Sequence, residues 1–391
     1  MIRRSGPLSG PVLCLSLNLL RFFGANRMLA GNHGPPGGNR LPMFDDDPSK
    51  PLVSIALATY NGRTYLPELL ASLEAQSWPH LEVVVSDDAS RDGTRELLAS
   101  YTGRVPVRLV GDGTRAGIVG NFERALAGCR GDYIALADQD DVWAPEKVAD
   151  LMREVRRAES AGDGAATPAL AFCDIELVDS TLCRLSRSLF DITAKSRCAT
   201  RLRDFLLSNH VPGCAMLVNR AALERALPFP PGIVMHDWWL AMVVASFGEI
   251  RHVAAPHLKY RQHDGNAVGA SATNERAVRD ECGAEAARRR GASRRRQIEA
   301  IADQVRVFAR RFGAELPVDA RHDMYAFSRG VASWRGALEF VMISHTGETF
   351  VRSVKMLRRL RASVLSFGVE VRRPSLTRRL RQRRGESRRL S

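Results

Sequence analysis

Cysteine is sparse in this chain and never paired in a way that chemistry could use. Seven residues (Cys14, Cys129, Cys173, Cys183, Cys198, Cys214 and Cys282) lie scattered and odd in number, with no CxxC among them. That pattern excludes a disulfide framework and a zinc site and leaves reduced thiols, most of them core fillers. Glycine motifs that cradle phosphates are missing as well. Neither G-x-G-x-x-G nor G-x-x-x-x-G-K-[ST] occurs, so a glycine-rich loop does not hold phosphates here. Long apolar runs are also lacking. The stretch from Val12 to Phe23 contains Asn18 and Arg21 and is too short to span a bilayer. Its reading as a signal peptide is weak, because no small-x-small cleavage site follows.

Charge is present in quantity but in one place. The chain carries a net +14, and fourteen Lys/Arg against two Asp/Glu lie between Arg352 and Ser391, leaving the preceding residues nearly neutral. Residues 31–51, rich in Gly, Pro, Asn and Asp, read as a disordered linker. At 391 residues and 45% hydrophobic, the chain has enough material for a full core and two or three domains.

Order begins at Leu52. Apolar runs at 52–58, 81–85, 107–110 and 133–137 read as strands buried on both faces, and helical spacing separates them at 64–76, 90–100 and 119–127. A long helix is expected from Pro145 to Ala161, with proline in its first turn. Strands at 169–173, 214–218 and 250–253 follow, and His236 opens an apolar helix ending near Phe247. Strand and helix in alternation predict an α/β fold, with a mostly parallel central sheet covered by helices on both faces. In such a sheet ligands bind beyond the carboxyl ends of the strands. Those tips are Thr59-Tyr60-Asn61, Asp87-Asp88 and Asp138-Gln139-Asp140.

The last of these tips is the most informative. Asp138, Asp140 and Asp141 follow a buried strand directly. Carboxylates so close repel unless a positive charge lies between them, and an all-oxygen ligand set suits Mg²⁺ or Mn²⁺. The competing reading is a solvated acidic turn capping the helix that begins near Pro145.

Four blocks in order resemble the family 2 glycosyltransferases. They are Val53-Ser54-Ile55 through Asn61, Glu82 through Thr94 with Asp87-Asp88 inside, Leu136 through Trp143, and the pair His236-Asp237-Trp238-Trp239 and Tyr260-Arg261-Gln262-His263. Their spelling is similar to the rhamnosyltransferase-like branch. The resemblance covers about Leu52 to Ala270 and implies a GT-A (Rossmann-like) fold. It divides the chain into a leader and linker over 1–51, a transferase domain over 52–270 and a helical basic extension over 271–391. It also implies site roles: Asp138, Asp140 and His263 at a metal, and Asp138 also at the ribose. Asp88 would accept from the base, Tyr60 would stack on it, and Thr59, Asn61 and Asn121 would border the donor. Asp237 would be the general base that the acceptor hydroxyl requires, at a helix start that favours negative charge. Core packing, an N-cap and an Asx turn are the structural alternatives for Tyr60, Asp237 and Asp88. For Trp238 and Trp239, an acceptor-site lining competes with simple packing.

Processive polymerases of this family carry Q-x-x-R-W after the base, and it is absent here. The expectation is therefore an inverting, metal-dependent transfer of one sugar. The donor would be a nucleotide-sugar and the acceptor a glycan or lipid-linked glycan of the cell envelope, handled on the cytoplasmic side. A sugar-phosphate nucleotidyltransferase is a rival, though Asn61-Gly62-Arg63 is thin for its loop; a non-catalytic membrane-bound scaffold is another. Residues 274–312 read as a long exposed helix. The arginine-rich end reads as a basic amphipathic segment on an anionic membrane surface, with Val354, Leu357, Val364 and Leu365 on one face. A solvated tail is its alternative. Few aromatics interleave with these arginines and no nucleic-acid module is visible, so nucleic acid is not an expected partner.

Overall fold

The computed structural model describes residues 50–193, 195–263, 265–266, 284–344, 353–358 and 360, all within one compact unit, Phe44–Ser391. The expected leader, the stretch 267–283 and the basic arm beyond Leu360 lie outside the described residues, with Val364 and Leu365 among them.

Four parallel strands open the sheet: β1 (Val53–Thr59), β2 (Leu81–Asp87), β3 (Val107–Val110) and β4 (Tyr133–Asp138). The helices between them are α1 (Leu66–Glu74), α2 (Thr94–Ala99) and α3 (Gly117–Gly128). A two-residue strand, β5 (Val142–Trp143), and α4 (Lys147–Ser160) follow. Then come β6 (Ala169–Val178), β7 (Arg184–Ser186), α5 (Leu189–Ile192), α6 (Leu202–Phe205), β8 (Met216–Asn219) and α7 (Arg220–Ala226). The chain continues through α8 (His236–Phe247), β9 (Glu249–Arg261), α9 (Ala284–Phe312), α10 (Val318–Ala332) and α11 (Trp334–Ile343). The strands form one sheet in the order β3-β2-β1-β4-β8-β6-β9-β5, with β7 beside β6. β8 runs antiparallel to both β4 and β6, so the sheet is mixed beyond its parallel half.

Continuous apolar strands follow from cover on both faces. Along β1, Ala56 faces a core shared with α3, α8 and the C-terminal helices, while Val53, Ile55 and Leu57 face one shared with α1 and α4. Along β4 the same alternation sends Ile134 and Leu136 one way and Ala135 and Ala137 the other. Register brings the polar tips together: Thr59 lies opposite Asp87, and Ala58 opposite Asp138.

Three differences from the expectation matter for the site. The last strand does not stop near Val253 but runs to Arg261, which delivers His263 to the end of β4. Cys214 lies in a 3₁₀ turn, Gly213–Ala215, rather than in a strand. The C-terminal long helix is not exposed along its length. Its Ile298, Ile301, Ala302, Val305, Phe308 and Phe312 form an i, i+3/i+4 stripe buried in the core. There Phe308 and Phe312 meet the Trp239 ring at 5.4 and 5.9 Å. Val354 and Leu357, expected on a membrane-facing stripe, are buried in the same core.

This packing makes α9 part of the fold. Phe308→Ala is expected to lower unfolding stability by about 3–5 kcal/mol, measured by urea denaturation. A loss below about 1 kcal/mol would show that α9 is only loosely attached.

Candidate active site

The carboxyl ends of β1, β2 and β4 converge with the N-terminus of α8 and the end of β9. Asp138 ends β4 and is partly exposed, whereas Asp140 and Asp141 in the following turn are buried. The His263 Nε2 lies 2.9 Å from Asp140 Oδ2, and the Asn266 amide donates to the same oxygen at 3.1 Å. His263 and Asp140 are therefore brought into contact, with Asp138 close enough to feel the Asp140 charge.

Arg261 makes that meeting possible. It is almost wholly buried, and its Nε donates to the Asp140 carbonyl at 2.9 Å and its other guanidinium nitrogens to Ser180 O (2.6 Å) and Glu68 Oε2 (2.5 Å). Its backbone N–H reaches Asp141 Oδ1 at 3.3 Å, and its guanidinium stacks over Tyr65, whose ring is in turn 4.6 Å from His263. β5 completes the clamp by pairing Val142 with Lys259 and Trp143 with Leu258.

The acidic turn has an inner side that a sequence reading does not anticipate. Asp138, Asp141 and Cys214 place one ligand atom each within 4.8 Å of one another. Beside them Lys147 is fully buried, its ammonium donating to Cys214 O at 2.5 Å and lying 3.2 Å from the Trp143 ring centre. Burial pushes this lysine down to about 8, against the pull of nearby groups that include Asp141 and Asp138. Burial also pushes the Cys214 thiol up, reinforced by the charges of Asp141 and Asp138. A protonated thiol is a poor ligand for a hard cation. Lys147 thus offsets part of the charge on the inner side, and Asp140 with His263 lies on the outer side.

Asp138 itself is pushed up to about 7, first by burial and then by the negative charges of Asp140 and Asp237. Neither the Lys147 ammonium nor a hydrogen bond from Cys214 offsets these effects on Asp138. Carboxylate oxygens suit Mn²⁺ or Mg²⁺, and an imidazole beside them favours the softer Mn²⁺. Among the described residues, the oxygens of Asp138 and Asp140 and the imidazole of His263 would hold the ion.

Asp237 sits in the first turn of α8, nearly buried. Its Oδ2 accepts the Gly213 N–H at 3.0 Å and its Oδ1 its own helix's Trp238 N–H at 2.6 Å. Gly213 must be small: a Cβ there would lie 3.2 Å from both Asp237 Cβ and His236 Nε2. His236, stacked on Phe122 with ring centres 3.7 Å apart, has no hydrogen-bond partner on either nitrogen, and burial drives it down to about 4. It is therefore a neutral neighbour of Asp237. The half-buried Lys195 adds an ammonium that feels the Asp237 charge and donates to Asn209 O at 2.6 Å.

The nucleotide-side residues divide into two groups. Tyr60 is exposed, and the Arg115 guanidinium lies over its ring, 4.6 Å from the centre. Its backbone is locked to the Gln139 side chain in both directions, at 2.9 and 3.0 Å. Asp88 is held differently: it accepts the N–H groups of Ala116 and Gly117 at the start of α3 and pairs with Arg115 at 3.8 Å. Three expected donor contacts are structural ties in this arrangement. The Thr59 hydroxyl donates to buried Asp87 at 2.8 Å, and Asn61, at φ 48°, accepts the Arg91 N–H at 2.9 Å. The Asn121 amide donates to Thr59 O at 3.1 Å, and its own oxygen is buried without a partner. Trp238 and Trp239 are packing residues, their indole N–H groups satisfied by Phe205 O (2.6 Å) and Ala226 O (3.2 Å).

Residues 54–225 match the family model described as Glycosyl transferase family 2. The chain therefore carries a family 2 glycosyl transferase domain. It is 37% identical over 102 residues to TuaG of Bacillus subtilis, a candidate glycosyltransferase of teichuronic acid biosynthesis, covering 25% of this chain and 40% of that protein. It is 26% identical over 234 residues to the dTDP-rhamnosyl transferase RfbG of Shigella flexneri, covering 55% of this chain and 74% of that protein. The matched stretch spans 40% of TuaG and 65% and 57% of two uncharacterised rickettsial glycosyltransferases, less than two thirds of each. The Staphylococcus aureus TarS structure with UDP-GlcNAc superposes at a TM-score of 0.44 and 15% identity, over 81% of this chain and 91% of that one.

The raised Asp138 makes the metal-free protein pH-sensitive. Its folded value, about 7, lies above the ordinary 3.8, so the folded protein keeps a proton that the unfolded chain has lost. Stability without metal is expected to fall as pH rises from about 4 to about 7, and Asp138→Asn should flatten this slope in urea titrations run in chelator. An unchanged slope in the variant would place the titration elsewhere.

Proposed function

We propose that this protein is an inverting, metal-dependent glycosyltransferase. It moves a single sugar from a nucleoside-diphosphate sugar to a glycan or lipid-linked glycan acceptor of the cell envelope. The observation that carries the reading is the contact of His263 with Asp140 across the sheet's edge, in one site with Asp138 and Asp237. A carboxylate–imidazole set beside a second, separately held carboxylate is the minimum such a transfer needs. One group of residues binds the ion that balances a departing diphosphate, and another takes the acceptor's proton.

The roles follow from how each group is held. Asp140, buried and gripped by His263 and Asn266, is a direct ligand, with Asp138 and His263 completing the set. Asp138 also borders the ribose. Tyr60, exposed beside Arg115, offers a stacking face to the base, and Asp88 bounds the same pocket from the start of α3. Asp237, with two backbone N–H groups fixing both oxygens, is oriented for a proton from the acceptor hydroxyl. Thr59, Asn61 and Asn121 shape the pocket by tying β1, the 88–92 loop and α3 together. The transferase domain of residues 52–270 is followed by a helical extension, whose basic arm we assign to an anionic membrane surface on the cytoplasmic face. The likeness to TuaG, named for teichuronic acid biosynthesis, supports a cell-envelope polysaccharide as the setting. Among the described residues no helix is long and apolar enough to cross a membrane.

Two substitutions separate the roles. Asp140→Ala is expected to abolish turnover and to weaken Mn²⁺-dependent binding of nucleotide-sugars. Asp237→Asn should lower kcat by roughly 10²–10⁴-fold while leaving donor binding within about twofold. Isothermal titration with UDP-, GDP- and dTDP-sugars, paired with product detection, reads both. A wild-type protein that consumes nucleoside triphosphates instead would belong to the nucleotidyltransferases. For the arm, removal of residues 361–391 is expected to shift the protein from membrane to soluble fractions. An unchanged partition would dismiss it as an anchor.

A further inference from the structure

Helix α11 has two apolar faces, and only one of them is used by the fold. Gly336, Ala337, Phe340 and Val341 are buried against the core. On the outer side Trp334, Leu338 and Met342, spaced i, i+4 and i+8, are 59%, 44% and 75% exposed, and Ile343 beside them is 48% exposed. A helix of ten residues that leaves four large apolar side chains in water has a partner to meet.

The surroundings say what the partner is. The Arg358 guanidinium lies 5.3 Å from the Trp334 ring centre, and Lys355 is exposed in the same short helical stretch, 353–358. On α11 itself the acidic Glu339 is neutralised twice, by Arg329 at 2.9 Å and Arg335 at 3.0 Å. The rim of the stripe is thus cationic, and between Arg352 and Ser391 the chain adds fourteen Lys/Arg against two acidic residues. A tryptophan and aliphatic side chains in one row, bordered by arginine and lysine, match the boundary of an anionic bilayer, where apolar groups enter the acyl layer and cations meet headgroups. A second copy of this chain would bring a rim of the same sign against this one.

We propose that the outer face of α11, with Trp334, Leu338, Met342 and Ile343, is a membrane-docking surface that inserts shallowly into anionic lipid. It rests on the membrane reading of the basic arm and deepens it: the arm supplies long-range attraction, and α11 supplies apolar burial that salt does not screen. The chemistry also suits an acceptor carried on lipid, because docking would hold the active site near the bilayer surface.

The test is sedimentation of full-length protein with vesicles of phosphatidylglycerol and phosphatidylcholine, against pure phosphatidylcholine, at low salt and in about 0.5 M NaCl. Three proteins are compared: wild type, the triple variant W334S/L338S/M342S, and a chain lacking residues 361–391. All three substituted side chains are exposed, so the triple variant should keep the wild-type urea midpoint and its Mn²⁺-dependent nucleotide-sugar binding. Its partition onto anionic vesicles is expected to fall at least about tenfold, with the salt-resistant fraction lost. The emission of wild-type protein should shift to the blue on vesicle addition, and W334F should lose that shift.

Partition of the triple variant equal to wild type overturns the proposal. So does its conversion of a wild-type dimer to a monomer in sedimentation velocity, which would make a second copy the occupant. Stronger vesicle binding after removal of 361–391 would overturn the arm's share in attraction and support α11 as the docking surface. If that truncation binds like wild type while the triple variant does not, the arm reading fails and the α11 surface stands. Wild-type protein that ignores anionic vesicles dismisses both.

Discussion

Negative charge crowded at one edge of the sheet is the constraint from which the rest of this structure follows. Asp138, Asp140 and Asp141 lie within four residues, and Asp237 is close enough to raise Asp138 further. Such a group costs folding energy unless cations answer it. The fold answers half of it. Lys147, buried under the turn, and Arg261, buried behind it, compensate the inner carboxylate and the turn's backbone. Asp140 is met by a histidine and an asparagine amide, and Asp138 stays raised despite Lys147 and a Cys214 hydrogen bond. An asymmetry of this kind belongs to a site that keeps part of its electrostatic need for a ligand.

The elements that impose the asymmetry come from far apart in sequence. β4 supplies the turn, while β9 supplies Arg261 and aims His263, 123 residues from Asp140. α8 carries Asp237, and the 3₁₀ turn at Gly213 fixes its carboxylate from the opposite side. Parallel strands make this assembly possible, since their carboxyl ends share one edge and the helix starts face them. The hydrogen bonds among the strand tips have a place in it too. The Asn121–Thr59 and Asn61–Arg91 bonds hold the tips of β1 and α3 and the 88–92 loop at fixed separations.

Much of this was legible in the residues alone. The parallel half of the sheet showed as apolar runs separated by helical spacing, and the strand tips named Asp88, Asp138 and Asp140 through a general rule about such sheets. Asp237 and His263 came only through the family resemblance, since a lone aspartate or histidine in a polar loop carries no signal of its own. Lys147 was invisible for a different reason: a lysine in a first helical turn reads as solvated, and nothing local says that the turn lies over an acidic cluster. Arg261 was spelled within a recognisable block, yet its burial depends on β9 running eight residues past the expected strand end at Val253. Thr59, Asn61 and Asn121 were placed in the right neighbourhood, but their side chains are engaged with backbone and with Asp87. Short polar residues serve a ligand or a turn equally well, and only coordinates choose.

The C-terminal helices connect the site to whatever lies outside it. α9 packs Phe308 and Phe312 against Trp239, two residues after the proposed base and on the same helix. α10 adds Asp323, which ties to Arg203 of α6, and α6 presents the Phe205 carbonyl to Trp238. The helix bearing Asp237 is therefore gripped from the rear by the segment that ends in α11 and the basic arm. The metal-side residues depend on β4, β9 and α1 instead. Loosening the C-terminal packing would thus move the proposed proton acceptor without disturbing the proposed ion ligands. That predicts a particular loss: turnover falling before donor binding does. A surface that docks α11 would act on the half of the site that carries the proposed base.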